Sequence, residues 1–339
     1  MEAEVSAPGE WRTGPRDAIT DVRGIRVGHW TDRRAGTGCT VILCEESTGA
    51  AVDARGGAPG TRETDVLAGP NLVRQCHAVV FSGGSAFGLA AASGVMEWLS
   101  ARNIGFGTAQ RKIPIVPGAV LYDLSVGRAE AFPGAEAGRL AAARASGGRV
   151  AQGSVGAGTG ATVAKLLGGE RALKGGIGTA SVAGPKGLVL GALVANNASG
   201  HVFDPETGRL IAGPRGEPGE LVDLPAAMEQ RTAEMDALLE NTTLICVATN
   251  AALDHHHLQR VAIQAHDGLA RAVMPAHTFG DGDVAFAIAT GTVPVQPHDV
   301  SSVGLMAVRA VERALVNSVL NAGGLHGVPS AAEWLKGRG

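Results

Sequence analysis

The chain has 339 residues, of which 45% are apolar and 18% charged, and its formal net charge is -3. That supplies a substantial core for one or two domains and leaves neither the basic face that nucleic acid needs nor an acidic tail. Fifty glycines stand against seven Phe, four Trp and one Tyr, so the interior must be Ala, Val, Leu and Gly in closely approached elements rather than aromatic layers.

Residues 1–17 are polar and contain Pro and Gly, which predicts a mobile N-terminal tail ahead of a single domain over 18–339. The first dozen residues lack the basic and apolar regions of a signal peptide, and no apolar run reaches the roughly 18 residues of a membrane span. The expected location is cytoplasmic. Cys39, Cys44, Cys76 and Cys246 sit in apolar, strand-like settings without CxxC spacing, and read as reduced core residues.

Thr40 to Cys44, Ala50 to Asp53 and His77 to Ser82 read as strands, and Ala86 to Arg102 as a helix burying Leu89, Val95, Trp98 and Leu99. A Gly-rich stretch, 147–191, contains the strand-like pieces Gly176 to Val182 and Leu188 to Ala195. Ala198 to Pro218 is polar and rich in Pro and Gly, and reads as a partly disordered surface excursion. Pro225 to Leu239 is then helical and delivers the chain to Asn241, ahead of the strand Thr243 to Thr249. Asp254 caps a helix bearing Leu258, Val261, Ala262, Ala265 and Leu269, and Asp283 to Thr290 is a strand of alternating apolar character. A last helix, Val300 to Asn321, stops at Gly323-Gly324. Such elements with so much glycine point to sheets packed face to face under outer helices.

The junction Asn241-Thr242 carries the most chemistry. A threonine placed there can attack the preceding carbonyl, cut the chain, and emerge with a free amine that serves as its own base. Taken alone, Asn-Thr reads first as a polar turn between a helix and a strand, and the rest of the chain reverses that reading. Lys165 closes the run Gly156 to Lys165, otherwise devoid of charge, where a partly desolvated ammonium would lower the pKa of a nearby amine or steady an anion, or simply end a helix. Asn196 and Asn197 end an apolar run, as oxyanion donors or as a turn. Asp281-Gly282-Asp283 brings two carboxylates together to orient the Thr hydroxyl and take its proton, or to form a hairpin turn or half a metal site. Gly156, Gly158 and Ala161 match GxGxxA without the framing strand and acidic partner of a dinucleotide site. His255 to His257 lacks the i, i+4 spacing of a helical metal site, and Ser82 to Gly88 has Phe87 where a nucleophile elbow needs glycine. The Gly-rich loops Asp53 to Gly57 and Gly60 to Asp65 line a cleft or a subunit contact.

From Asp21-Val-Arg-Gly-Ile-Arg-Val-Gly-His29 through Asp53-Ala-Arg-Gly-Gly-Ala-Pro-Gly60, Ser82-Gly-Gly-Ser-Ala-Phe-Gly88 and Gln152-Gly-Ser-Val-Gly-Ala-Gly158 to Asn241-Thr-Thr243 and His277-Thr-Phe-Gly-Asp-Gly-Asp283, the chain resembles the DmpA-like N-terminal-nucleophile hydrolases. These include L-aminopeptidase/D-esterases, β-peptidyl aminopeptidases and the nylon oligomer (6-aminohexanoate oligomer) endo-hydrolase. The resemblance implies an α/β fold, a four-layer αββα sandwich, cut into fragments 1–241 and 242–339 and assembled as a homotetramer. By resemblance, Thr242 is the nucleophile, Lys165 the lysine ending the Gly-rich segment, Asn197 the oxyanion-side asparagine and Tyr122 the active-site tyrosine. Asn196 takes the place of Asn197 if the alignment slips by one. Asp281 and Asp283 match the acidic pair of the nylon oligomer hydrolase, where aminopeptidase members carry Ser and Glu, and usually a Ser nucleophile. The implied activity is hydrolysis of amides or peptides without a metal or organic cofactor. The competing readings are an uncleaved, silent scaffold binding a small ligand in the same cleft, and an acyltransferase using the same threonine.

Overall fold

The computed structural model of the chain describes residues 11–231 and 241–337. Its principal strands are β1 (Ile25–Asp32), β2 (Thr37–Ala54), β3 (Gln75–Ser82), β4 (Gly118–Val120), β5 (Gly176–Ala183), β6 (Val189–Asn197), β7 (Thr242–Ala252) and β8 (Val284–Pro294). The helices are α1 (Ala91–Ser100), α2 (Ala135–Ala143), α3 (Leu224–Gln230), α4 (His255–Ala272), α5 (Asp299–Leu320) and α6 (Ala331–Lys336).

One strand organises the rest. The apolar runs Thr40 to Cys44 and Ala50 to Asp53 are the two ends of β2, whose pairing with β3 is irregular between Leu43 and Thr48. One edge of β2 is shared: its first half pairs with β1 from Ile25↔Cys44 to Asp32↔Thr37, its second with β8 from Val284↔Ala54 to Ala289↔Gly49. The sheet runs β5-β6-β7-β8-β2-β3-β4 and ends on the short strand Thr61–Arg62. The β7–β8 and β3–β4 pairs are parallel, whereas β5–β6, β6–β7 and β8–β2 are antiparallel.

Three separate apolar layers show that this mixed sheet folds over itself as αββα. Between its halves lie Ile25, Val27, Ile42, Val79, Phe81, Leu193, Leu244, Cys246, Val284, Phe286 and Ile288. Outside one half, α4 and α5 cover Val182, Leu190, Val194, Ile245, Val247, Ala285 and Ala287. Outside the other, α1 and α2 cover Cys39, Val41, Leu43, Ala78 and Val80. β8 therefore departs from simple alternation, because consecutive residues from Val284 to Ala289 are buried on opposite faces, each face having its own partner layer.

Glycine makes the layers close. A Cβ on Gly94 of α1 would stand 1.7 Å from the Ala135 carbonyl oxygen, and one on Gly138 of α2 would stand 1.9 Å from that of Ala91. Gly178 of β5 meets the Ala314 carbonyl of α5 at 1.8 Å in the same way. The four cysteines are buried free thiols.

Several elements differ from the sequence pattern. The expected first helix begins as a 3-10 turn, Ser85–Ala90, and becomes α-helical only at Ala91. Ala198 to Pro218 is not a disordered excursion: His201–Phe203 pairs with Leu210–Ala212 and with Val273–Met274, while Val202, Ile211 and Ala212 join the α4/α5 layer. Their burial compensates for the polar composition around them. α3 spans Leu224–Gln230, and the rest of the helix expected up to Leu239 falls outside the described residues. Within the expected N-terminal tail, Arg12 exchanges backbone hydrogen bonds with Ala183, and Asp17 accepts from the Ser181 N–H and from Arg313. The additional helix α6 carries a Ser330/Glu333 capping box. No described helix is long and apolar enough to cross a membrane.

Candidate active site

Thr242 is the first residue of β7, and the ladder sets it directly opposite Asn197, the last residue of β6. One residue earlier, Asn241 forms a parallel bridge with Asp281, just ahead of β8. The junction is thus held between the end of one neighbouring strand and the approach to the other. Thr242 is 6% exposed, and its hydroxyl donates to the Asn241 carbonyl oxygen at 2.5 Å. The Gly282 N–H donates to the same oxygen at 2.8 Å.

The two carboxylates are buried and fastened to backbone. Asp283 accepts from the Thr243 N–H at 2.6 Å through one oxygen, and from the His277 N–H at 3.1 Å and Nδ1 at 2.9 Å through the other. Asp281 accepts from the Thr278 N–H at 2.6 Å. Burial first, then the charge of Asp283, pushes the Asp281 carboxyl above its usual range, while the Thr278 bonds and the Lys165 charge pull the other way. The loop after β2 clasps this turn. Arg55 and Gly56 donate their N–H groups to the Asp283 carbonyl, Ala58 to that of Asp281 and Gly57 to that of Thr278. His277 sits edge-on to His266, ring centroids 4.8 Å apart. The His266 Nε2 donates to the Asp53 carbonyl at 3.0 Å, and burial lowers its pKa to about 4, so that ring is neutral at pH 7.

On the opposite side, Asn197 is wholly buried and held through both ends of its amide. Its Oδ1 accepts from the Thr162 N–H at 2.9 Å, and its Nδ2 donates to the Tyr122 carbonyl at 3.1 Å. Lys165 Nζ donates to the Asn197 backbone carbonyl at 3.0 Å. Ala164, just before this lysine, adopts a left-handed φ of 60°, a conformation costing about 1 kcal/mol or more for a residue with a Cβ, and is tied through its N–H to the Gly200 carbonyl.

The fold therefore brings Thr242, Asn197, Lys165, Asp281, Asp283 and the backbone of Tyr122 into one neighbourhood, although they are scattered through the sequence. Asn196, the alternative to Asn197, instead points its amide at Ser318 of α5, 3.0 Å away. The segment Gly156–Gly158 is a single 3-10 turn followed by the strand Thr162–Val163, so it does not open a dinucleotide-binding helix. Ser82 to Gly88 is a close-packed turn, since a Cβ on Gly88 would meet the Gly83 carbonyl oxygen at 1.8 Å. In the histidine triplet, His255 approaches the Ala50 and Gly69 carbonyls and His257 pairs with Asp254.

Sequence reading assigns no role to four residues that matter here. Lys174 is 0% exposed and donates to the carbonyls of Thr159 at 2.8 Å and Ala161 at 2.5 Å, fastening the loop that presents Thr162 to Asn197. Burial lowers its pKa to about 7, and the charge of Asp123 opposes that shift. Asp123, itself buried, accepts from Thr37 Oγ1 and the Gly84 N–H, and burial raises its pKa to about 6. His277 and Gly282 complete the set. A lone lysine inside Ala172-Leu-Lys-Gly-Gly176, and Asp123 beside the one tyrosine, were the available signals.

Known proteins resemble this chain along most of its length. The model of peptidase family S58 matches residues 17–332. An uncharacterized aminopeptidase of Mycobacterium tuberculosis is 43% identical over 350 residues, covering 95% of this chain and 98% of that protein. A 6-aminohexanoate-oligomer endohydrolase of Kocuria sp. (strain KY2) is 30% identical over 323 residues, covering 90% and 84%. Among solved structures, the L-aminopeptidase D-Ala-esterase/amidase of Ochrobactrum anthropi, described as a variant of the Ntn hydrolase fold, superposes with a TM-score of 0.73 at 23% identity, covering 94% of this chain and 90% of that one. A β-aminopeptidase of Burkholderia sp. gives 0.69 at 25% identity, covering 97% and 95%.

Proposed function

The chain belongs to peptidase family S58, and from that premise we propose that it cuts itself between Asn241 and Thr242 and then hydrolyses amide bonds with Thr242 as its N-terminal nucleophile. The observation that carries this reading is the Thr242 hydroxyl resting on the carbonyl it would attack, in a buried setting flanked by two carboxylates. Attack by Oγ on the Asn241 carbonyl carbon and expulsion of the Thr242 nitrogen exchange the amide for an ester. Water then hydrolyses the ester, leaving the Asn241 carboxylate and a Thr242 that carries both its hydroxyl and a free amine.

An ordinary α-amine titrates near pH 8, close enough to neutrality to act as a base, and Lys165 would lower it further. In turnover, Oγ attacks the substrate amide and the free amine takes its proton. Asn197 and backbone N–H groups stabilise the oxyanion, water releases the acyl group, and Asp281 and Asp283 hold the nucleophile's surroundings. All of this chemistry resides in the chain's own residues.

For substrate, we favour linear oligoamides and short peptides. The Kocuria relative acts on 6-aminohexanoate oligomers by name, and the paired Asp281 and Asp283 accord with that branch. A tetramer of cleaved protomers in the cytoplasm completes the reading. The intact mass of the denatured protein tests its first half: two species matching residues 1–241 and 242–339, absent from Thr242→Ala, are expected. A single full-length chain would defeat it. Assay of 6-aminohexanoate oligomers beside peptides with free and blocked N-termini tests the second half.

A further inference from the structure

We infer that the backbone N–H of Gly282 is the oxyanion donor for cleavage of the Asn241–Thr242 bond, and that position 282 is glycine because the Thr242 hydroxyl needs the space. The inference rests on the reading that this bond is cut.

Geometry comes first. The Gly282 nitrogen lies 2.8 Å from the Asn241 carbonyl oxygen, an ordinary N–H···O hydrogen bond already made to the atom on which negative charge develops during attack. In the intact chain that oxygen also accepts from the Thr242 hydroxyl at 2.5 Å. The two donors do not survive the reaction equally. When Oγ bonds to the Asn241 carbon its proton must leave, and its hydrogen bond to the oxygen goes with it. The C=O π pair then moves onto the oxygen, and the Gly282 N–H still faces that new charge. Collapse breaks the C–N bond, the displaced proton ends on the Thr242 nitrogen, and solvent water hydrolyses the ester.

The donor is also held in place beforehand. Asp281 pairs with Asn241, its carbonyl accepts from the Ala58 N–H at 2.8 Å, and the Asp283 carbonyl accepts from Arg55 at 3.0 Å. Gly282 and Thr242 are buried, so the bond acts in a medium where charge stabilisation is stronger than in water. An N–H that neither moves nor desolvates during attack stabilises the developing charge without reorganisation.

The absence of a side chain has its own reason. Gly282 is not among the glycines with positive φ, so its backbone would admit other residues. A Cβ there would stand 2.7 Å from Thr242 Oγ1 and 3.0 Å from the Ala58 carbonyl oxygen. A methyl group would thus press on the nucleophile.

The test replaces Gly282 by glycolate in the full chain, exchanging the Asp281–Gly282 amide for an ester that carries an oxygen in place of the N–H. Intact mass followed over time beside the parent should show cleavage slowed about 100-fold or more, the loss typical of one deleted oxyanion donor. Cleavage within about 3-fold of the parent, with an unchanged circular dichroism melt, overturns the inference. If the parent itself stays whole, the functional reading fails and takes the inference with it. Should the ester variant not fold, a crystal structure of uncleaved Thr242→Ala decides: Gly282 N within hydrogen-bond reach of Asn241 O supports the assignment, and a separation beyond about 3.5 Å overturns it. Gly282→Ala should fold yet cleave at least about 10-fold more slowly, because its Cβ crowds Oγ. Cleavage at the parent rate would overturn the spatial half.

Discussion

Replacing Lys174 by Met removes an ammonium that is wholly buried and donates to two backbone carbonyls of the loop behind Asn197. Burial holds its pKa at about 7, against 10.5 for an ordinary lysine. The sign follows from proton counting. Below pH 7 the lysine is protonated both folded and unfolded, and the burial penalty is fully present. Between about 7 and 10.5 the folded lysine has released its proton and the unfolded one has not, so unfolding takes up a proton and stability rises with pH. At about 1.4 kcal/mol per unit, this group should add about 2.5 kcal/mol to stability between pH 7.5 and 9.5. Lys174→Met has no such group. Urea unfolding of parent and variant at both pH values isolates the effect, because the cysteines and other groups shared by the two proteins largely cancel. At pH 7.5 the variant is expected to lose stability through its two orphaned carbonyls, at roughly 1–3 kcal/mol each, less the relieved burial penalty. The decisive quantity is the change in the parent-minus-variant difference with pH. A difference that stays constant within about 0.5 kcal/mol would refute the reasoning, since it would mean that Lys174 titrates alike folded and unfolded. The variant should also cleave more slowly if the Thr159–Ala161 loop positions Asn197.

Gly94→Ala should destabilise by about 2 kcal/mol in a denaturant melt, although helix propensity alone favours Ala by about 1 kcal/mol, because the new Cβ would strike the Ala135 carbonyl and part α1 from α2. Asp283→Asn should cost about 1–3 kcal/mol by the same measure, since a carboxylate accepting from Thr243 and His277 would give way to an amide that presents a donor to donors. Asp281→Asn should go the other way. The folded carboxyl has a raised pKa, so the stability it confers is fully present below its unfolded value and is lost as pH rises through the folded one. Removing the charge should therefore stabilise the protein at pH 7–8 relative to pH 4, read from paired melts, while slowing cleavage. Thr242→Ser should still yield two fragments by mass, because the hydroxyl remains, and Thr242→Val should yield none.

Sequence alone located most of the local elements and pointed to the junction as the candidate site. Apolar periodicity located α4 and α5, Asp254 announced its cap with a side chain that accepts from the His257 N–H, and the Asn241-Thr242 step before an apolar strand marked the candidate nucleophile. The run of motifs from Asp21 to Asp283 carried the family and with it the αββα class. What the local pattern did not contain was register. Glu45-Glu46-Ser47 interrupts the apolar alternation, so β2 read as two strands, and its sharing of one edge between β1 and β8 was invisible. The pairing of Asn197 with Thr242 and the bridge from Asn241 to Asp281 depend on how distant strands align, which no window of neighbouring residues encodes. The burial of Lys174, the left-handed turn at Ala164 and the N–H of Gly282 on the Asn241 carbonyl likewise arise only when the layers close. Each is a group whose cost or use is set by what lies against it rather than by its own side-chain type.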